Sequence, residues 1–159
     1  IKYGLEVFEE VSAKYNKCKL CMFGMCDNSN LPNYVEYYQN PTKQKLVDLY
    51  SDADIFLFPS LEEGWGLTPL EAMACGCIVV GTNTGFVLDI GKNEENMMIS
   101  EPGNLKQMRE NIDIILNNKD LRNNIIENAI KTVEKLNWNN SCAQLEKILK
   151  TTCKIEERR

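Results

Sequence analysis

The feature that most limits the possible folds is an alternation of short apolar segments with amphipathic segments at helical spacing. Strand-like apolar segments lie at residues 19–24, 35–38, 53–58, 78–82 and 97–99. Helix-like segments begin near Tyr3, Thr42, Thr68, Asn104 and Asp120, and a last one carries Leu145, Ile148 and Leu149. Thr42 and Asp120 are the expected N-caps of their helices. Strands that alternate with helices predict an α/β fold: a doubly wound, Rossmann-like parallel sheet with helices on both faces.

Composition and charge narrow the class of protein. The chain has 159 residues, of which 43% are hydrophobic, and this is enough for one globular domain over residues 1–159. A net charge of -5 argues against nucleic acid as a partner, because binding a phosphate backbone needs a basic face. No apolar run reaches the roughly 20 residues that span a bilayer, and no leader pattern precedes the first helix. We therefore expect a cytoplasmic protein.

Seven cysteines and no histidine raise the question of metal or disulfide chemistry. Cys18 and Cys21 form a CxxC pair, but an odd offset within a strand points the two side chains to opposite faces. An odd number of cysteines also leaves a disulfide scheme incomplete. We predict reduced, mostly buried thiols, as in a cytosolic protein, and no metal site.

The segment from Glu63 to Glu71 carries the clearest chemical signal. The two glutamates enclose the sequence Gly-Trp-Gly-Leu-Thr-Pro-Leu, in which a glycine-rich turn runs into the start of a helix. Unpaired amides at a helix N-terminus attract an anion, and glycine lets a ligand approach the main chain closely. The flanking carboxylates would repel a phosphate and would accept hydrogen bonds from neutral hydroxyls. An anion held by amides, with hydroxyl-rich groups on both sides, matches a nucleotide sugar.

Residue types alone leave other interpretations open for both glutamates. Thr68, Pro69 and Glu71 fit a capping box, with threonine as N-cap and the glutamate reaching back to the N-cap amide. A glutamate engaged in this way could not fully bind a ligand at the same time. Glu63, next to Glu62, could be a solvated loop carboxylate.

The segment ADIFLFPSLEEGWGLTPLEAMACGCIVVGTNTG, residues 53–85, resembles the donor-binding half of the family 4 glycosyltransferases (glycosyl transferase group 1). These are retaining enzymes with the GT-B fold, and their pattern is roughly PS-x-x-EGFGL-x-x-LEAMA-x-G-x-PVV-x-T-x-x-GG. Trp65 stands where the family usually has phenylalanine. Phe86 replaces the second glycine of the last motif and Asp89 replaces a glutamate after it. We therefore expect residues 82–89 to contribute little to binding.

The resemblance implies one contact for each part of the donor. Glu63 is implied as the catalytic residue, which contacts hydroxyls of the transferred sugar and stabilises positive charge in the transition state. The other implied contacts are the backbone of Trp65 and Gly66 at the donor sugar, that of Leu67 and Thr68 at the diphosphate, Glu71 at the ribose, and Gln39, Asn40 and Pro41 at the base. A plain strand-to-helix turn explains the last three residues equally well.

The resemblance also implies parts that this sequence does not contain. Relatives hold the diphosphate with an arginine and a lysine after the first strand of the domain, whereas the first arginine here is Arg109. We expect a donor-binding domain without its first strand and without its N-terminal GT-B partner domain, inactive on its own. The alternatives are a non-catalytic nucleotide-binding or regulatory module on the same fold and, more remotely, a flavodoxin-like signalling domain.

The implied enzyme is a metal-independent transferase of the hexosyltransferase type. It would move a sugar from a UDP-, GDP- or ADP-sugar to a hydroxyl of a glycan or lipid-linked acceptor, with the anomeric configuration retained and with no cofactor. Peripheral attachment to the inner membrane face would come through the N-terminal domain.

Overall fold

The computed structural model describes residues 1–27 and 30–156, and the side chains of residues 1–27 and 30–152. Within these ranges the chain forms seven helices and five strands. In chain order they are α1 (Lys2–Lys14), β1 (Leu20–Gly24), β2 (Val35–Gln39), α2 (Lys43–Asp52), β3 (Ile55–Phe58), α3 (Leu67–Ala74), β4 (Ile78–Thr82), α4 (Val87–Ile90), β5 (Met98–Ser100), α5 (Leu105–Asn117), α6 (Lys119–Val133) and α7 (Trp138–Glu156).

The described strands all pair in parallel, but they form two sheets. β1 pairs with β2, with Leu20 opposite Val35. β3, β4 and β5 form the second sheet in that order, with Ile55 opposite Ile78. The predicted α/β architecture with parallel strands is confirmed. The division into two sheets is a feature that the strand pattern does not predict.

Helices cover both faces of the three-stranded sheet, because successive strand residues point to opposite sides. One face is packed by Tyr50 of α2, Phe58, Met73 of α3 and Val79. The other face is packed by Val7 of α1, Ile78, Val80 and Ile112 of α5. β4 is buried along its whole length, which is why its sequence is continuously apolar instead of alternating.

The N-caps of α2 and α6 were predicted in the same way, but only one of the two predictions is correct. Thr42 caps α2 as predicted, since its hydroxyl accepts a hydrogen bond from the Lys45 amide at 3.2 Å. The prediction that Asp120 caps α6 is wrong, because Asn118 accepts the bond from the Leu121 amide at 3.0 Å. Asp120 lies in the first turn instead, where its charge faces the positive end of the helix dipole. Asparagine and aspartate cap equally well, so the sequence offered two starts, and the helix uses the earlier one.

The cysteines depart in part from the prediction. Six of them lie within the described side chains, and all six are free thiols. Cys77 is buried, and Cys18 and Cys75 are half-buried, but the other three are exposed: Cys21, Cys26 and Cys142. The expectation of mostly buried thiols is therefore wrong, because these three lie on the open side of β1, in the loop after it and on the exposed α7. No helix in the described part of the chain has the length and apolar character of a membrane span.

Candidate functional site

The loop between β3 and α3, together with the first turns of α3, holds the residues from Glu63 to Glu71 that the motif singled out. Gly66 is the N-cap of α3, with a left-handed backbone at φ 89°, and no side chain caps this helix. The capping-box alternative for Glu71 is therefore excluded in this structure. Its premise was that the helix starts after Thr68, but the left-handed turn at Gly66 starts the helix at Leu67, so Thr68 is already helical. The amides of the first turn are left without a capping side chain.

Glu71 is held by a residue from another helix. The Tyr50 hydroxyl of α2 donates a hydrogen bond to Glu71 Oε2 at 3.1 Å. Tyr50 is only 3% exposed, whereas Glu71 is exposed. Burial, and then the charge of Glu71, raise the pKa of Tyr50, so the phenol stays protonated and donates. The carboxylate of Glu71 thus contacts α2 through Tyr50 and does not cap its own helix.

Glu63 lies in the loop before α3, three residues ahead of the N-cap Gly66. Its Oε1 accepts a hydrogen bond from the Gly64 amide at 3.1 Å, and the residue is exposed. Its Cγ lies 3.1 Å from the position that a Cβ on Gly85 would occupy. Glu63 therefore rests against the loop after β4 with its carboxylate open to solvent.

The loop after β4 supports the glutamate loop. The Phe86 amide donates to the Trp65 carbonyl at 2.8 Å, and Phe86 is fully buried. The Thr82 hydroxyl donates to the Ser60 carbonyl, and Gly85 has a left-handed φ of 57°. This packing accounts for a phenylalanine at position 86, because its buried ring fixes the loop to the core.

The sequence around the site is poor in positive charge. No lysine or arginine stands between Lys45 and Lys92. Glu62, Glu63 and Glu71 are all exposed. Within residues 46–91, an anion at the start of α3 would therefore be attracted only by the main-chain amides and the helix dipole.

The segment predicted to meet the base lies at the carboxyl end of β2. Asn40 has a left-handed φ of 45°, and its amide donates to the Gly24 carbonyl at 2.9 Å. The Gln39 side chain donates to the Met25 carbonyl at 3.3 Å, so it ties this turn to the loop after β1. Pro41 is half-buried. These bonds hold the turn at the carboxyl end of β2.

The side chains described here contain no cluster of three or more histidine, cysteine, aspartate or glutamate residues that could hold a metal ion. The chemistry that the described site offers is thus hydrogen bonding by two carboxylates and by main-chain amides.

Comparison with known proteins identifies the family. The family model for glycosyl transferases group 1 matches residues 1–132. The chain belongs to this family. An uncharacterized glycosyltransferase of Methanocaldococcus jannaschii is 30% identical over 164 residues, which cover 94% of this chain and 41% of that protein. The chain thus spans about two fifths of the length of this relative.

Solved structures agree on the fold of this group 1 glycosyltransferase domain. Sucrose-phosphate synthase from Thermosynechococcus elongatus superposes with a TM-score of 0.78 at 22% identity, covering 96% of this chain and 43% of that one. A mutant of TarM from S. aureus, solved with fondaparinux, α-GlcNAc-glycerol and UDP, superposes with a TM-score of 0.75 at 23% identity, covering 94% of this chain and 32% of that one. These neighbours are GT-B glycosyltransferases, and the predicted Rossmann-like half of that fold is confirmed.

Sequence reasoning missed the contacts that Tyr50 and Phe86 make with the candidate site of this glycosyltransferase domain. One signal for Tyr50 was available: a tyrosine on the apolar face of a predicted helix usually needs a hydrogen-bond partner for its hydroxyl. For Phe86, the signal was that it replaces a glycine of the family pattern.

Proposed function

We propose that this chain is the donor-binding domain of a retaining glycosyltransferase that moves a hexosyl group from a nucleotide diphosphate sugar to an acceptor hydroxyl. The observation that carries the proposal is the uncapped start of α3 at Gly66, with the exposed Glu63 three residues before it and the exposed Glu71 five residues after it in the sequence. The Tyr50 hydroxyl holds Glu71 in this position at 3.1 Å. The family supports transfer of a sugar, and this geometry supports a donor with one anionic centre between two hydroxyl-bearing parts.

The pyrophosphate would bind at the amides of Leu67 and Thr68. These groups lie in the first turn of α3, and the left-handed Gly66 before them has no side chain to obstruct a ligand. Amides at a helix N-terminus bind phosphate through hydrogen bonds and through the helix dipole. The leaving diphosphate gains negative charge during transfer, so the same groups would stabilise it in the transition state.

The two carboxylates would bind the neutral parts of the donor. Glu71 would accept hydrogen bonds from the ribose hydroxyls. Glu63 would accept them from the transferred sugar, beside the backbone of Trp65 and Gly66. As the bond between the anomeric carbon and the diphosphate oxygen breaks, its electron pair leaves with the diphosphate and positive charge develops on the sugar ring. The negative charge of Glu63 would stabilise that ring, which is the catalytic role that we assign to it.

We assign the nucleotide base to the turn at Gln39, Asn40 and Pro41. The support is its place at the carboxyl end of β2, the side on which parallel α/β sheets bind ligands. The left-handed Asn40 turns the main chain sharply there. A base contact through the main chain would account for a turn held by one hydrogen bond to Gly24 at the end of β1 and one to Met25 in the loop after it.

The complete enzyme would need two further parts. A basic side chain from outside residues 46–91 would neutralise the diphosphate, because this segment contains no lysine or arginine. An N-terminal GT-B domain would supply the acceptor site for a glycan or lipid-linked hydroxyl. The helix dipole together with such a basic group would replace a metal ion. This chain alone would then bind the donor without transferring the sugar.

We further propose that a strand before α1 in the complete protein fills the space between β1 and β3. Tyr50 contacts Phe23 of β1 and Phe56 of β3, with both pairs of ring centroids 5.7 Å apart. Next-nearest strands of one sheet lie about 10 Å apart, a distance that one covering ring can bridge. A strand that leads into α1 and then β1 would make a right-handed crossover. The strand order would then be that of the Rossmann fold.

Nucleotide binding tests the central proposal. UDP, GDP and ADP are titrated into the complete protein by calorimetry. We expect one of them to bind, and we expect Glu71→Ala to weaken it by about 1–3 kcal/mol, because a hydrogen bond to a charged acceptor is lost. Glu62→Ala is the matched control: it removes an exposed glutamate from the same loop and should leave the affinity unchanged. Failure of all three nucleotides to bind the wild-type protein would overturn the proposal.

A further inference from the structure

We propose that Tyr50 is a positioning residue for Glu71 and, through it, sets the preference of the site for ribonucleotides over deoxyribonucleotides. This inference rests on the proposed function, in which Glu71 binds the ribose. It concerns a residue that lies in α2, 21 positions before Glu71 and outside the glutamate loop.

The ring of Tyr50 is fixed from two sides. It makes edge-to-face contacts with Phe23 of β1 and with Phe56 of β3, at 5.7 Å in each case. The residue is 3% exposed. A ring packed in this way has one orientation, so its hydroxyl is presented at one point, and that point lies 3.1 Å from Glu71 Oε2.

Glu71 needs a partner from α2 because no group of its own helix, α3, holds its side chain. It lies on the first turns of α3, it is exposed, and the helix start has no side-chain cap. A free glutamate side chain samples several rotamers, and fixing them on ligand binding costs free energy. A bond to Tyr50 selects one rotamer before the ligand arrives.

The bond also leaves part of the Glu71 carboxylate free to accept hydrogen bonds from a ligand. An ionised carboxylate accepts hydrogen bonds at both oxygens. Tyr50 occupies one direction at Oε2, which leaves Oε1 and the remaining lone pair of Oε2 for ribose hydroxyls. Burial and the charge of Glu71 raise the pKa of Tyr50, so the phenol remains a donor throughout the neutral range. Where the bound nucleotide covers this acceptor from water, an analogue that lacks the hydroxyl is bound more weakly, because the acceptor then loses its partner.

The test uses the complete protein and the nucleoside diphosphate, among UDP, GDP and ADP, that binds best. Its Kd is compared with those of the matching 2′-deoxy and 3′-deoxy forms for wild type, Tyr50→Phe, Glu71→Gln and the double variant. For wild type, we expect at least one deoxy form to bind about 10-fold or more weakly. Tyr50→Phe keeps the ring and removes only the hydroxyl, and we expect it to reduce this ratio to within about threefold. The effects of Tyr50→Phe and Glu71→Gln should be non-additive, as is usual for residues in contact.

A matched control separates this role from the general loss of a tyrosine hydroxyl. Tyr34 also donates to a carboxylate, Glu9 Oε1 at 2.7 Å, and its ring stacks on Phe8 of α1. Tyr34→Phe should leave the ratio unchanged. Thermal melts verify that each variant is folded.

The possible failures are distinct. If Tyr50→Phe keeps the wild-type ratio, or if its effect adds fully to that of Glu71→Gln, the role of Tyr50 is overturned while the proposed function stands. If none of the three nucleotides binds the wild-type protein, the proposed function is overturned and this role with it.

Discussion

The amide of Phe86 donates a hydrogen bond to the carbonyl of Trp65 at 2.8 Å, and this bond joins the loop after β4 to the glutamate loop after β3. Phe86 is fully buried, so the donor is fixed by the core. The position of the loop that carries Glu63 is therefore set by the neighbouring strand and not by the loop alone.

Gly85→Ala should displace the glutamate loop. A Cβ at this position would lie 2.6 Å from the Trp65 carbonyl oxygen, and the backbone has a φ of 57°. We expect the free energy of unfolding to fall by about 1–3 kcal/mol, because both the close contact and the left-handed backbone oppose a side chain. Urea denaturation measures the change.

The control for this change is Gly64→Ala in the same region. A Cβ there would meet no atom within 4 Å, so we expect stability within about 0.5 kcal/mol of wild type. Equal losses for the two variants would mean that the contact between Gly85 and Trp65 has no special role.

Glu63→Gln should impair transfer without impairing nucleotide binding. The substitution keeps the size of the side chain and removes its charge, so the positive sugar ring in the transition state would lose its counter-charge. We expect the transfer rate of the complete protein to fall about 100-fold or more, with the Kd for the nucleoside diphosphate within twofold of wild type. Steady-state kinetics with the active donor and calorimetry measure the two effects. Glu62→Gln, the neighbouring exposed residue, should keep full activity, and a similar loss in both variants would contradict the role of Glu63.

Cys77 should make the fold sensitive to alkaline pH. Burial raises the pKa of this thiol from 9.0 to about 12. A raised pKa means that folding favours the neutral thiol. Its contribution to stability is therefore fully present below pH 9 and is lost as the pH rises toward 12. Between pH 7.5 and 10.5, we expect this group to remove about 2 kcal/mol from the free energy of unfolding.

The Cys77→Ala variant isolates that contribution. Denaturant unfolding at both pH values should give a smaller pH-dependent loss for Cys77→Ala than for wild type. Cys142→Ala removes an exposed thiol and should keep the wild-type loss. Equal pH dependence in wild type and Cys77→Ala would contradict this assignment.

The added strand between β1 and β3 predicts a pattern of hydrogen exchange in the complete protein. Every amide of a central strand is paired, whereas alternate amides of an edge strand are free. We therefore expect all amides of Leu20–Gly24 and Ile55–Phe58 to exchange as slowly as those of β4, measured by NMR or mass spectrometry. Fast exchange at alternate residues of both strands would mean that the two edges stay open.

The elements that the sequence predicted best are those whose signal is local. The apolar run of β4 ends at a threonine and follows Gly76, and its predicted bounds, 78–82, agree with the structure. Thr42 was predicted as a cap because the bond to the Lys45 amide spans only three residues. α4 was missed because its four residues are too few for a helical period to be seen.

The start of α3 was mispredicted for a backbone reason. Thr68, Pro69 and Glu71 have the residue types of a capping box, and a helix that began after Thr68 would have used it. Gly66 instead adopts a φ of 89° and starts the helix at Leu67. A side chain at Gly66 would lie 3.1 Å from Phe58 Cζ, so a contact with the end of β3 helps to decide this start.

The amino-acid sequence by itself determined the alternation of strands and helices, the glycine-rich turn between two glutamates and the family to which the chain belongs, because these depend on residue order and short-range spacing. Only the tertiary structure decided what those glutamates can do. Tyr50 holds Glu71 as an exposed hydrogen-bond acceptor and not as a helix cap. Phe86 holds the loop of Glu63 through its hydrogen bond to the Trp65 carbonyl. Such contacts join residues about 20 positions apart on different elements, and they arise only when the core brings those elements together.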